Sequence, residues 1–180
     1  MHAAAPDDLA ALARVLAAAR PAGRLLALGD ATPELVRALA DGMDLGSALV
    51  VVTTTAAGRA RLASVARDEL RLNLHHQPAE TFVADVAGHH FDLILVEATE
   101  AASVPWTALV DRLADGAMLL ARGVPELASG LLASDPRLRL ARPPGDAVVL
   151  AARRRSDPPT HRRGGSRARR AGRRLSAGPG

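Results

Sequence analysis

The stretch Phe91-Asp-Leu-Ile-Leu-Val-Glu97 decides how this chain folds. Its run of mostly apolar residues does not alternate with polar ones, which is typical of a strand buried on both faces of a parallel sheet. The run ends in a carboxylate, and open parallel sheets bind their ligands outside the carboxyl ends of the strands. The stretch therefore predicts the central strand of an α/β domain, with Glu97 at the edge where a ligand would lie.

Strand-like and helix-like segments alternate along the rest of the chain. Six more segments of mostly apolar residues predict strands: Leu25 to Leu28, Ala48 to Val52, Arg71 to Leu74, Ala117 to Ala121, Arg137 to Ala141 and Ala147 to Ala151. The alternation predicts an α/β fold with a Rossmann-like, doubly wound, mostly parallel seven-stranded sheet. Only the turn Pro143-Pro144-Gly145 separates the last two strands, so we expect a C-terminal antiparallel hairpin.

The helices are predicted from their start and stop signals. Thr32-Pro33 combines a capping hydroxyl with a proline that fits the first helical turn. A further helix is expected from Ala56 to Leu70, with Leu70 facing the core. A later helix is expected from Pro105 to Ala114, ended by Gly116.

Composition and charge divide the chain into a folded body and a basic tail. We expect an N-terminal helix in residues 1–22, the α/β domain in residues 23–152 and a disordered, Arg-rich tail in residues 153–180. Residues 1–152 hold 13 Arg against 18 acidic residues, whereas residues 153–180 hold ten Arg against one Asp. The tail could bind RNA, DNA or an acidic membrane surface non-specifically. It could equally be a solvated segment without a role, or the product of an altered reading frame.

The sequence lacks cysteine and lacks a membrane-spanning or signal segment, and these absences exclude several classes of protein. The chain has no Cys, which excludes disulfides, thiolate metal sites and a Cys nucleophile. No apolar run reaches the ~18 residues that a membrane-spanning helix needs, and the first residues lack the basic-then-apolar pattern of a signal peptide. We therefore expect a cytoplasmic protein.

Four segments match the motifs of a known family in order and spacing. Phe91 to Ala98 is similar to the fourth-strand segment FDLVFVDA, and Gly116 to Val124 is similar to GGLLVADNV. Asp135 to Leu150 is similar to the ending DPR…PIGDGLALAR, and Arg24 to Gly29 stands where the first motif, VLEIGTGTGYS, begins. The chain thus resembles the class I methyltransferases that use S-adenosylmethionine (SAM), in particular the small metal-dependent O-methyltransferases of the catechol and caffeoyl-CoA type.

The resemblance implies that SAM lies over the carboxyl ends of the first strands. The residues at the matching positions are Gly29, Asp30, Thr32, Thr53, Gln77 and Glu97. Ala31 and Pro33 replace two glycines of the first motif, and Thr53 begins a threonine run where the family has an acid that binds both ribose hydroxyls. Losing that charged, two-pronged hydrogen bond weakens binding roughly ten-fold or more. We therefore expect SAM binding to be weak or lost.

The metal site implied by the resemblance is changed more strongly. The family holds Mg²⁺ with an Asp after the fourth strand and an Asp-Asn pair after the fifth, where this chain has Glu97, Arg122 and Gly123. A guanidinium has no lone pair for a hard cation and repels it, so we predict no divalent metal. Arg122 would instead pair with Glu97 or bind an anionic substrate. Glu97 could also be a general base, a residual ligand or simply a polar strand end.

The other candidate residues have plain structural interpretations beside the functional ones. The hydroxyls of Thr53 to Thr55 could bind a ribose or phosphate, but they could also cap the helix that follows. The histidine pairs His75-His76 and His89-His90 lack the ligand spacing of a zinc site. Trp106 could stack on a base, although an aromatic residue on a helix is more often part of the core.

Two hypotheses about function follow from the residues and the resemblance. The first is a SAM-dependent O-methyltransferase-like protein that acts on a small molecule without a metal, with Glu97 and Arg122 as candidate catalytic residues and with weak activity. The second is a catalytically inactive protein of the same fold that binds a partner protein, with a tail that binds nucleic acid non-specifically.

Overall fold

The computed structural model describes residues 6–97, 104–122, 130, 135–141 and 148–153. Its helices and strands are α1 (Pro6–Ala18), β1 (Arg24–Gly29), α2 (Pro33–Gly42), β2 (Ala48–Thr53), α3 (Ala56–Asp68), β3 (Leu72–His76), α4 (Ala79–Asp85), β4 (Phe91–Glu97), α5 (Trp106–Asp111), β5 (Leu113–Arg122), β6 (Leu138–Ala141) and β7 (Val148–Arg153). Among the helices so described, none is long and apolar enough to cross a lipid bilayer.

The strands form one sheet in the order β3-β2-β1-β4-β5-β7-β6. The first five strands in sequence are parallel, and β7 runs antiparallel to both β5 and β6. The predicted Rossmann-like α/β fold with a parallel sheet is therefore confirmed. The strand order reverses between β1 and β4, beside Gly29, which is where open α/β sheets place their ligands. The predicted turn at Pro143-Pro144-Gly145 and residues 154–180 of the tail lie outside the described residues.

Apolar side chains pack on both faces of the sheet. Alternate residues of β1 point to opposite sides, so that Leu25 and Ala27 pack with α1, α2 and α3, whereas Leu26 and Leu28 pack with α4 and α5. This two-sided cover is the reason why the central strands need continuous apolar runs. The helix expected in residues 1–22 belongs to the first of these layers and is thus part of the folded body.

The start of β5 differs from the prediction. The helix predicted from Pro105 to Ala114 is too long, and Gly116 lies inside β5 rather than ending a helix. Leu113 is buried opposite Phe91, and the register between β4 and β5 shifts just after this pair. Gly116 takes a φ of +74° within the irregular stretch, a conformation that glycine adopts without strain. A single buried leucine and a bulge thus replace the last predicted helical turn.

The turn after α3 also corrects the prediction. The helix ends at Asp68, and Leu70, which we expected in the core, is almost fully exposed. Arg71 donates hydrogen bonds to Glu69 and to the carbonyl oxygens of residues 40, 43 and 44, at the end of α2 and just beyond it. Because both neighbours of Leu70 are fixed by these bonds, its side chain is left pointing into solvent.

Candidate functional site

The carboxyl ends of β1 and β4 meet at the reversal of the sheet. Gly29 ends β1 and pairs in register with Glu97, which ends β4. Gly29 has a φ of +97°, and a Cβ built on it would collide with the backbone carbonyl of Glu97. Glycine is therefore required here by the close packing of two strand ends, and this pair of residues marks the centre of the candidate site.

The segment between β1 and α2 uses its polar groups locally. Thr32 caps α2, because its Oγ1 accepts a hydrogen bond from the backbone N–H of Leu35 at 3.3 Å. Pro33 has no N–H to offer in the first turn, and Ala31 is fully buried in the core. The N-terminus of α2 therefore offers fewer free N–H donors than a glycine-rich loop does. The role of Thr32 toward a cofactor stays a prediction.

Asp30, Thr53 and Thr55 form a hydrogen-bonded group between the ends of β1 and β2, which we call the hydroxyl cluster. Oδ1 of Asp30 accepts hydrogen bonds from Thr53 Oγ1 at 3.3 Å and from Thr55 Oγ1 at 3.0 Å. Thr55 also caps α3 by accepting a bond from the Gly58 N–H at 3.0 Å, which confirms the capping interpretation for this residue. Thr53 is fully buried, so its hydroxyl serves the cluster rather than the surface.

Gly58 belongs to the same arrangement, and sequence reasoning missed it. A Cβ at this position would press against Thr53 Oγ1 and come within 2.7 Å of Asp30 Oδ1. An N-cap hydroxyl accepts a hydrogen bond from the backbone N–H two or three residues later, and Gly58 follows Thr55 by three, so this bond could have been predicted from the sequence. The bond from Thr55 to Asp30 could not, because it depends on how the end of β1 packs beside the end of β2.

Gln77 follows β3 and lies beside the end of β2. Its backbone N–H donates to the carbonyl of Thr53 at 3.2 Å, and Nδ1 of His76 lies 3.3 Å from the same oxygen. The third strand end is thereby joined to the hydroxyl cluster, and Gln77 itself is half-buried. The structure thus brings the predicted residues of β1, β2 and β3 to one edge, while their contacts with a cofactor stay predictions.

Glu97 and Arg122 form an ion pair across the ends of β4 and β5. The two residues are register partners, and Nη1 of Arg122 donates to Oε1 of Glu97 at 2.9 Å. The Glu97 side chain is 13% exposed and that of Arg122 is 44% exposed. The predicted pair is confirmed. Arg122 supplies no lone pair to a divalent metal, and its guanidinium already bonds one oxygen of the Glu97 carboxylate, so these two side chains are a poor donor set for Mg²⁺; the absence of a metal stays a prediction.

The remaining candidates have structural surroundings. The ring of His75 packs on that of Phe82, with 5.3 Å between the ring centroids. Within the described ranges, no three His, Asp or Glu side chains come together as a metal ion would require. Trp106 is buried among the residues of α4 and α5, which confirms its interpretation as a core residue.

Comparison with known proteins finds matches in structure only. No protein-family model and no curated protein matches the chain. The O-methyltransferase TomG from Streptomyces achromogenes, solved in complex with SAM, is 18% identical and has a TM-score of 0.65, with 86% of this chain and 82% of that chain covered.

Two further solved structures agree with this match. The O-methyltransferase from Bacillus cereus, in complex with SAH, is 15% identical with a TM-score of 0.67, covering 85% of this chain and 83% of that one. A methyltransferase from Geobacter sulfurreducens is 16% identical with a TM-score of 0.63, covering 85% and 80%. The resemblance stated from the sequence is therefore confirmed at the level of the fold: this chain has the fold of the SAM-dependent O-methyltransferases.

Proposed function

We propose that this chain is a SAM-dependent O-methyltransferase-like protein that acts on a small molecule without a divalent metal. The observation that carries the proposal is the ion pair of Glu97 and Arg122, which lies at the ends of β4 and β5 in a sheet shared with SAM-bound O-methyltransferases. SAM, when bound, supplies an electrophilic methyl group on a sulfonium. The guanidinium of Arg122 supplies a fixed positive charge where the family has its cation.

The described residues fit SAM in part. Oδ1 of Asp30 accepts both threonine hydroxyls, while Oδ2 accepts no bond from any described residue, so that it can receive the amino group or a hydroxyl of SAM. Gly29 brings bare backbone to the same edge, and Gln77 can hydrogen-bond an adenine. Thr53 is buried, however, and no acid follows β2. We therefore expect an affinity roughly ten-fold weaker, or more, than an acid at the ribose position gives.

Calorimetric titration of the full chain with S-adenosylhomocysteine (SAH) in buffer with EDTA tests this proposal. We expect saturable heat with a Kd between roughly 10 μM and 1 mM, unchanged when Mg²⁺ replaces EDTA. Asp30→Asn should weaken binding about ten-fold, because it removes the carboxylate charge while keeping an oxygen for the threonines. Asp85→Asn, at the end of α4, is the control. Absence of heat at millimolar SAH, or binding that needs Mg²⁺, would contradict the proposal.

A second candidate function is a catalytically inactive protein of this fold that binds a partner protein. The hydroxyl cluster favours it, because the hydroxyls of Thr53 and Thr55 are directed to Oδ1 of Asp30, and that of Thr55 to the cap of α3, where a cofactor would otherwise use them. This candidate predicts no SAH binding and no methyl transfer to catechol-type phenols, with or without Mg²⁺. Turnover of such phenols would rule it out.

The Arg-rich tail supports a separate proposal, that residues 153–180 bind anionic polymers without sequence preference. Ten Arg and a single Asp in this segment can neutralise phosphates, but no aromatic residue is present to stack on bases. Deleting residues 154–180, which leaves β7 intact, should abolish retention on heparin at moderate salt. Equal retention of the shortened chain would show that the tail is not the binding segment.

A further inference from the structure

Arg122 has hydrogen-bonding capacity that Glu97 does not use. Its Nη1 donates to Oε1 of Glu97, and the arginine side chain is 44% exposed. A guanidinium carries five N–H donors, and the edge formed by Nε and Nη2 presents two of them side by side. No described residue occupies that edge. Among the described residues, Arg122 is therefore held by Glu97 through Nη1, while its Nε–Nη2 edge has no partner and the side chain is 44% exposed.

We propose that this open edge binds the carboxylate of the methyl acceptor, so that the substrate is a small-molecule carboxylic acid and the product its methyl ester. The inference rests on the proposed function. Two parallel N–H donors match the two oxygens of a carboxylate, whereas a neutral hydroxyl can accept at only one oxygen. Arg122 touches the substrate, and Glu97 is a positioning residue that fixes the guanidinium.

The position of the ion pair in the sheet suits an acceptor next to the methyl donor. Gly29, Glu97 and Arg122 are successive register partners on β1, β4 and β5. Neighbouring strands lie about 4.8 Å apart, so the backbone of Arg122 is about 10 Å from the end of β1. An arginine side chain spans much of that distance, and a carboxylate held at its tip lies within reach of a donor bound over Gly29.

A carboxylate acceptor needs neither a metal nor a base. One of its oxygens forms the bond to the methyl carbon while the carbon–sulfur bond breaks, and the electron pair of that bond stays on sulfur, which becomes the neutral thioether of SAH. No proton is released. At neutral pH a carboxylic acid with a pKa near 4 is almost fully ionised, but a phenol with a pKa near 10 is ionised to only about one part in a thousand. An arginine in place of the metal therefore suits an acceptor that is charged before it binds.

Binding of benzoate and benzamide to the cofactor-free full chain tests the recognition step. The two probes share a ring and a size but differ in charge, and NMR titration measures both. We expect benzoate to bind about ten-fold tighter than benzamide, a preference that Arg122→Gln abolishes. Arg61→Gln, an exposed arginine in the middle of α3, is the matched control and should keep it.

Glu97→Gln separates a recognition site from a structural ion pair. The variant keeps the guanidinium and removes the competing negative charge, so benzoate should bind about three-fold tighter or more. If the pair is only structural, Glu97→Gln and Arg122→Gln both lower the free energy of unfolding and leave the ratio of benzoate to benzamide affinity unchanged. Equal affinity for the two probes, or a preference that survives Arg122→Gln, overturns the inference.

4-Hydroxybenzoate tests the chemical step, because one molecule carries both kinds of acceptor oxygen. With SAM and EDTA, we expect the methyl ester as product and no release of a proton. Formation of 4-methoxybenzoate overturns the inference, and so does the absence of product from a chain that binds both SAH and the acid.

The SAH titration distinguishes this inference from the proposed function. SAH binding without a benzoate preference removes only this inference. A benzoate preference without SAH binding removes the proposed methyltransferase function and the methyl ester with it, and leaves Arg122 as a carboxylate-binding residue alone.

Discussion

The two edges of the parallel sheet use charged side chains differently. At the amino edge, Arg71 directs its donors to Glu69 and to three carbonyl oxygens at the end of α2 and just beyond it, and Asp44 accepts bonds from Ser47 and from the amides of residues 22 and 46. At the carboxyl edge, Arg122 makes one described bond and remains 44% exposed. Among the described residues, charged side chains at the amino edge hold loops in place, whereas Arg122 at the carboxyl edge is fixed by Glu97 and keeps donors without a partner, which is the arrangement that a ligand site needs.

Gly29 and Gly88 offer the largest test of this comparison. Both have positive φ, +97° and +86°, but a Cβ at Gly29 meets the Glu97 carbonyl whereas a Cβ at Gly88 meets nothing. We expect Gly29→Ala to lower the free energy of unfolding by about 3–5 kcal/mol, because the cost of a strained backbone and the cost of forcing β1 away from β4 add together. Gly88→Ala carries only the backbone cost of about 1 kcal/mol. Urea denaturation measures both, and equal losses would mean that the strand ends at the reversal are not tightly packed.

Replacing the two arginines compares the edges directly. Arg71→Ala removes the bonds that join the end of α2 to the start of β3, so we expect a loss of about 2–3 kcal/mol in the free energy of unfolding. Arg122→Ala removes one partly exposed ion pair and should cost about 1 kcal/mol or less. If Arg122→Ala proves the more destabilising in thermal and urea unfolding, the carboxyl-edge pair is mainly structural and the contrast fails.

The sequence predicts features that depend on neighbouring residues or on the alignment of strand ends, and it does not predict contacts between side chains and distant parts of the chain. The apolar runs identify β4 and β5, and parallel strands align their carboxyl ends, so the pairing of Glu97 with Arg122 could be expected from the sequence. The exposure of Leu70 and the anchoring by Arg71 could not, because they depend on a side chain reaching carbonyl groups about 30 positions earlier in the chain. The start of β5 at Leu113 could not be predicted either, because a single apolar residue before a bulge does not form the repeating apolar pattern that identifies a strand.

The ionisation of Glu69 should make the free energy of unfolding depend on pH, with a smaller effect than the substitutions above. Hydrogen bonds from Arg71 lower the pKa of Glu69 from 4.5 to about 2. Because the folded-state pKa is the lower one, the pair stabilises the fold fully above about pH 5 and loses this contribution as the pH falls toward 2. We expect the wild type to lose about 1–2 kcal/mol more than Glu69→Gln between pH 6 and pH 2.5, allowing for solvent screening of side chains that are about one-fifth exposed. Parallel pH profiles of the two proteins would contradict this assignment.

Thr55 tests whether the hydroxyl cluster is a cap or a ligand group. Thr55→Ala removes the cap of α3 and should lower the free energy of unfolding by about 1 kcal/mol, whereas Thr54→Ala, at an exposed position beside it, should have almost no effect. The same substitution removes one of the two hydrogen bonds that Asp30 Oδ1 accepts but leaves the carboxylate in place, so SAH affinity should stay within about two-fold of the wild type. If Thr55→Ala instead leaves stability unchanged and weakens SAH binding, the hydroxyl contacts the ligand, and the carboxyl edge retains more of a cofactor site than its internal hydrogen bonds suggest.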